Sequence, residues 1–211
     1  MINMKKAVIF DVDGVIIFSE RIYQKRREIF FEKNGLKLSE EEQEYFVGLN
    51  ARAMFSQLIA DSKKRQKLLT DYADFRDSYP IDYQKIFNPD LLSTLEALKE
   101  KNVRLAVASS GVLKNIHEIL KVNQIADYFE LVVSGEMFEH SKPHPQIYQH
   151  TVSQLGLLPE QCLAVEDSTF GIEAARKANV DVAALKSTQY QIDQSQATYQ
   201  IDSTKKILNL L

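Results

Sequence analysis

Ala7-Val8-Ile9-Phe10-Asp11-Val12-Asp13-Gly14-Val15 runs from four apolar residues into two acids at i and i+2, with a glycine directly after them. The apolar run reads as a short buried strand, and the acids as the loop leaving its C-terminal end. In an open α/β sheet that edge is where ligands bind. Two carboxylates so close repel each other unless a cation sits between them or one keeps its proton. An Asp-rich turn closing a hairpin is the plainer reading of an isolated pair, so the rest of the chain has to decide.

Downstream of about residue 88 the chain alternates helix patterns with short apolar strands. Asn88-Pro89 reads as N-cap and first helical position of a helix running to Lys101, striped by Leu91, Leu92, Leu95 and Leu98. Leu105–Ala108 reads as a strand ending in Ser109-Ser110-Gly111, and Ile116 and Leu120 mark the next helix. Leu131–Val133, Leu163–Val165 and Val182–Leu185 are further strands, with helices from Pro145 to Gly156 and from Gly171 to Ala178 between them. Ala197–Ile201 reads as a last, short strand. Strands joined by helical crossovers predict a Rossmann-like α/β core around a mostly parallel sheet. Residues 18–84 differ, with helical patterns after Ser19, after the capping-box sequence Ser39-Glu40-Glu41-Glu42, and over 50–62 and 64–78. The expected division is a core of residues 1–17 and 85–211 and an all-helical cap of residues 18–84, standing over the edge that carries Asp11 and Asp13.

Bulk properties narrow the function. The chain has 211 residues, 45% hydrophobic, which suits one domain with a sizeable insertion. A net charge of -3 leaves no basic footprint for nucleic acid. The densest basic cluster, Lys63-Lys64-Arg65, is flanked by Asp61 and Asp71 and reads as a solvated helix face. No apolar run approaches the ~20 residues of a membrane span, and no signal peptide is visible, so a cytoplasmic protein is expected. A monomer is the expected state. Cys162 is the one cysteine; it opens a buried strand and has no local base to activate it. His140 and His144 flank Lys142 without the thiolate or carboxylate partners of a zinc set.

Parallel strands bring their C-terminal loops to one side. There Asp11, Asp13, Glu166 and Asp167 carry up to four negative charges against one from Lys142. Such a cluster becomes sensible around a hard divalent cation, and Mg²⁺ favours one or two carboxylates with waters and a substrate phosphate. Cation plus lysine favours a dianionic phosphate. Asp11 can attack phosphorus, Asp13 can give a proton to the leaving oxygen and take one from water, and Ser109 can bond the transferring group. Backbone N–H groups around Asp13 and Gly14 can do the same.

These stretches resemble the haloacid dehalogenase superfamily of phosphotransferases, and most closely its branch of beta-phosphoglucomutases and sugar-phosphate phosphatases. The matching segments are Phe10-Asp11-Val12-Asp13-Gly14-Val15, Ala108-Ser109-Ser110-Gly111, Ser141-Lys142-Pro143-His144-Pro145 and Val165-Glu166-Asp167-Ser168-Thr169-Phe170-Gly171-Ile172. They stand in the family's order and span nearly the whole chain. The resemblance implies Asp11 as a nucleophile forming an aspartyl-phosphate, Asp13 as general acid and base, and catalytic roles for Ser109 and Lys142. It implies Mg²⁺ held by Asp11, the Asp13 main-chain carbonyl and Asp167, with Glu166 in or near the shell. Gly14, Ser110, Tyr23, Arg52 and Arg76 are the expected substrate contacts.

Several positions depart from the family pattern. Phe18 stands where an acid is usual, and Tyr23 where the mutases carry a histidine that couples cap closure to the acid/base aspartate. Pro89-Asp90 replaces a proline-glycine, and Gln146 an aspartate. Gly48-Leu49-Asn50-Ala51-Arg52 has one residue more between glycine and arginine than the mutases. Tyr23 and that spacing favour a phosphatase of small phosphorylated metabolites over a hexose-phosphate mutase. A non-catalytic binding module on the same scaffold would be expected to lose Asp11, Asp13 or Lys142.

Overall fold

The computed structural model describes residues 4–187 and 192–211. Six strands form one parallel sheet: β1 (Ala7–Phe10), β2 (Arg104–Ser109), β3 (Leu131–Ser134), β4 (Cys162–Glu166), β5 (Asp181–Leu185) and β6 (Tyr199–Ile201), in the spatial order β3-β2-β1-β4-β5-β6. The chain builds outward from β1 through β2 to β3, then returns to lay β4 against the other side of β1. That reversal makes a crevice at the C-terminal ends of β1 and β4, where ligands of such sheets bind. Asp11 stands on one side of it and Glu166 and Asp167 on the other.

The strands are buried on both faces, which is why they read as unbroken apolar runs. Val8, Phe10, Leu105, Val107, Leu163 and Val165 face one layer, with α5 (Leu91–Glu100) and α6 (Leu113–Val122) covering it. Ala7, Ile9, Ala106, Ala108, Cys162 and Ala164 face the other, under α7 (Gln146–Gln154) and α8 (Thr169–Lys177). The small residues on this second face let Tyr148 of α7 lie fully buried against the sheet.

Residues between β1 and α5 form α1 (Glu20–Lys33), α2 (Glu40–Tyr45), α3 (Ala51–Leu58) and α4 (Ser62–Ser78). They have a core of their own around Phe30, Phe31, Phe55, Leu68 and Tyr72, with the Phe30 and Tyr72 rings 5.0 Å apart. The two chain passages joining it to the sheet run side by side: the Phe18 N–H donates to Ile86 O at 2.7 Å, and the Asn88 N–H to Ile16 O at 3.0 Å. Ser39 and Glu42 form the expected reciprocal capping box. Two other caps differ from expectation. Ser19 makes no cap bond: its backbone is already helical and its hydroxyl donates to Asp13. α5 begins at Leu91, while Asn88 accepts from the Asp90 N–H at 3.1 Å through Oδ1 and donates to Val15 O at 2.8 Å through its amide nitrogen.

Candidate active site

β1 delivers Asp11 while the strand is still paired: the Asp11 N–H donates to Val165 O at 3.0 Å. Its carboxylate meets Lys142, which comes from the loop between β3 and α7. The Lys142 ammonium is buried and donates to Asp11 Oδ1 at 2.8 Å, Glu166 Oε1 at 2.6 Å and Ala108 O at 2.9 Å. Those three acceptors use its three protons. Burial pulls this lysine down, but the Asp11 and Glu166 carboxylates outweigh burial and hold it above its ordinary range. On the far side of Glu166, the Tyr148 hydroxyl donates to the same Oε1. Glu166 is thereby fixed in position, while its second oxygen, Oε2, is buried without a hydrogen-bond partner.

The acids outnumber this cation. Burial raises the Glu166 carboxyl to about 7, with Lys142 pulling the other way and Asp11 adding to the rise. Burial pushes Asp167 well above the usual carboxylate range, and Glu20, Asp11 and Glu166 push it further. Asp11, Glu166 and Asp167 each offer an oxygen within 4.8 Å of the others. A buried, all-oxygen donor set with an unpartnered carboxylate oxygen and excess negative charge fits a hard divalent cation such as Mg²⁺. The Asp13 side chain stands apart from this trio. It accepts from Ser19 Oγ at 2.6 Å and interacts with Tyr23 of α1. Burial, then the Asp11 charge, raises it to about 6.

A cavity joins this edge to the helical insertion. Asp11, Asp13, Ser109 and Ser110 line its floor, and Glu20, Tyr23, Arg26, Arg27, Met54, Tyr72 and Arg76 its roof and walls. The Ser109 oxygen accepts from the Gly111 N–H at 3.0 Å, which leaves its proton to donate, and Ser110 Oγ is buried with no partner. The insertion rests on the core beside the cavity, where the Tyr45 ring packs edge-on against Phe170, centroids 5.4 Å apart. Two expected substrate contacts fall differently. Arg76 lines the cavity while paired with Asp77 at 2.9 Å. Arg52 is exposed and is not among the lining residues, because Met54 and Phe55 turn their side of α3 into the insertion core and leave Arg52 to solvent.

The sequence reading also passed over Tyr148, Glu20, Arg26 and Arg27. The last three share a helix face with Tyr23, at offsets of three and four along α1. Charged residues at that spacing around an already suspected position were the available signal.

Two glycines lock the acids in place. Gly14 has φ +77°, and a Cβ there would fall 1.8 Å from Asp167 Oδ2. At Gly171, in the first turn of α8, a Cβ would fall 1.9 Å from Glu166 Oε2. Helix propensity favours alanine at that position by about 1 kcal/mol. The structure predicts the opposite sign. Gly171→Ala has to displace a carboxylate held by Lys142 and Tyr148, and urea unfolding should show a loss of about 1–3 kcal/mol. A stabilised variant would contradict this packing.

Known proteins resemble this chain in sequence and in fold. Residues 8–185 match the family model described as haloacid dehalogenase-like hydrolase. A phosphoglycolate phosphatase of Aquifex aeolicus is 31% identical over 189 residues, covering 84% of this chain and 83% of its own length. The pyrophosphatase PpaX of Oceanobacillus iheyensis is 27% identical over 210 residues, covering 98% of this chain and 96% of its own. A crystal structure of beta-phosphoglucomutase from Clostridium difficile superposes with a TM-score of 0.82 at 21% identity, over 97% of this chain and 93% of that one.

Proposed function

The chain belongs to the haloacid dehalogenase-like hydrolase family, and from that premise we propose that it hydrolyses small phosphomonoesters with Mg²⁺ through an aspartyl-phosphate on Asp11. The observation that carries this reading is the Lys142 clamp on Asp11 beneath a cavity lined by Ser109, Ser110 and Asp13. Asp11, Asp167 and Glu166, with the main-chain carbonyl of Asp13, would hold the Mg²⁺, which when bound offsets the repulsion between the Asp11 carboxylate and a phosphoryl dianion.

The first step forms a bond from an Asp11 oxygen to phosphorus as the bond from phosphorus to the leaving oxygen breaks. Asp13 gives its proton to that oxygen, a task suited to a carboxyl raised to about 6. In the second step Asp13 takes a proton from water, the water oxygen bonds phosphorus, and Asp11 leaves. Lys142 keeps the Asp11 carboxylate oriented throughout, and the Ser109 and Ser110 hydroxyls receive the phosphoryl oxygens. The helical insertion acts as the cap: it shields the acyl phosphate and presents the leaving-group contacts.

Tyr23 beside Asp13 supports hydrolysis over isomerisation. Phosphate release from beta-glucose 1-phosphate and its conversion to glucose 6-phosphate, measured side by side with Mg²⁺, test the reading. Release should exceed isomerisation at least about tenfold, a barrier difference of about 1.4 kcal/mol. Isomerisation well ahead of release would make the protein a mutase.

A further inference from the structure

Arg26 lies on the cavity wall, 6% exposed, with no hydrogen-bond partner for its Nε. Its guanidinium stacks over the Tyr23 ring at 4.4 Å and stands 5.9 Å from the Tyr72 ring. Among the described residues, no carboxylate comes within ion-pair distance of it; Asp13 and Glu20 feel its charge only from farther off. Arg27, equally buried, has unpartnered Nε and Nη2 atoms and only a distant approach to Glu20, 3.9 Å from Nη2 to Oε2. A buried cation without a paired anion is costly to a fold, and aromatic stacking offsets only part of that cost. Arg26 is such a group, and with the unbonded Nε and Nη2 donors of Arg27 beside it, whose charge Glu20 partly meets, it forms a receptor for an anion that the protein itself does not supply.

Their place says which part of the substrate that anion belongs to. The transferring phosphoryl group is served at the floor by Asp11, Lys142 and the two serines. Asp13 marks the leaving oxygen, Tyr23 touches Asp13, and Arg26 lies one layer beyond Tyr23. We infer that Arg26, with Arg27, binds a second oxyanion on the leaving group, so that the preferred substrates are short phosphorylated acids or bisphosphates. This rests on the hydrolase reading for its chemistry. The shared feature is an oxyanion that a planar guanidinium fork can grip, whether carboxylate or phosphate.

The test compares three short substrates: ethyl phosphate, whose leaving group is neutral; 2-phosphoglycolate, which adds a carboxylate; and ethylene glycol bisphosphate, which adds a phosphate. The wild-type protein should favour at least one anionic substrate by about tenfold or more in kcat/KM, chiefly through KM. In Arg26→Met that ratio should fall toward one, and Arg26→Lys should keep part of it. The larger ratio of the two anionic substrates tells carboxylate from phosphate. Ratios near one for both anionic substrates in the wild type, or a uniform loss on all three substrates in Arg26→Met, would overturn the inference; the uniform loss would mean that Arg26 acts through Tyr23 and Asp13.

Two further readouts do not depend on turnover. Removing an unpaired buried charge while keeping its bulk should leave the unliganded protein at least as stable, so Arg26→Met should not lower Tm. 2-Phosphoglycolate should raise the wild-type Tm more than ethyl phosphate does, and the variant should lose that difference. If no phosphomonoester is turned over, the hydrolase reading falls, and the Tm comparison still decides whether the arginines bind the second anion.

Discussion

Asp11→Asn should leave a folded protein whose phosphatase turnover is down at least about ten-thousandfold. The amide nearly matches the carboxylate in shape, and its oxygen can still accept from Lys142 Nζ, which sits 2.8 Å from Asp11 Oδ1. What it lacks is the charge and lone-pair nucleophilicity needed to bond phosphorus. Removing one negative charge from a crowded acidic edge also relieves repulsion on Asp13, Glu166 and Asp167, each of which is raised in part by Asp11. The thermal midpoint of the variant should therefore match or exceed that of the wild type without metal. Circular dichroism with a Pi-release assay checks both halves. Turnover within tenfold of wild type would remove Asp11 from the nucleophile's role.

Metal removal should be nearly as severe. Chelation with EDTA should abolish turnover and Mg²⁺ should restore it. The same site predicts a stability pattern that needs no substrate. In the metal-free protein burial raises Asp13 to about 6 and Glu20 and Glu166 to about 7, from ordinary values of 3.8 and 4.5. Between roughly pH 4 and pH 7 the folded state thus holds protons that the unfolded chain has released. Unfolding free energy must then fall as pH rises through that window, since stability rises with pH only where the unfolded state binds more protons. At neutral pH Mg²⁺ should raise Tm by displacing those protons and offsetting the repulsion. Asp167→Asn should raise the metal-free Tm and cancel most of the Mg²⁺ shift. An undiminished shift in that variant would place the cation elsewhere.

How much of this was readable in advance depends on the range of the interactions. β1 to β5 announced themselves because strands buried on both faces must be apolar throughout, and the helices between them imposed parallel pairing. Asp11, Lys142, Glu166 and Asp167 were legible as a set because parallel strands bring all their C-terminal loops to one edge. The expected division into core and cap rested on the change of pattern after Phe18; the helices there share an aromatic cluster of their own.

Other features depended on packing that no local pattern records. Ser19 looks like a helix cap, yet its backbone is already helical and its hydroxyl turns away to donate to Asp13. Tyr148 looks like an ordinary core aromatic until Glu166 is placed behind it. Arg52 and Arg26 are both cap arginines in sequence. Only the packing of α1 and α3 decides that Arg26 is buried against Tyr23 while Arg52 faces solvent.

The central claim is that phosphate is transferred twice, first to Asp11 and then to water. The stereochemical course at phosphorus reads this directly, using a substrate phosphoryl group made chiral with oxygen isotopes and sulfur. Each in-line displacement inverts the centre, so two displacements should release inorganic product with net retention of configuration. Net inversion would show that water attacks the substrate in a single step, and would contradict the aspartyl-phosphate account.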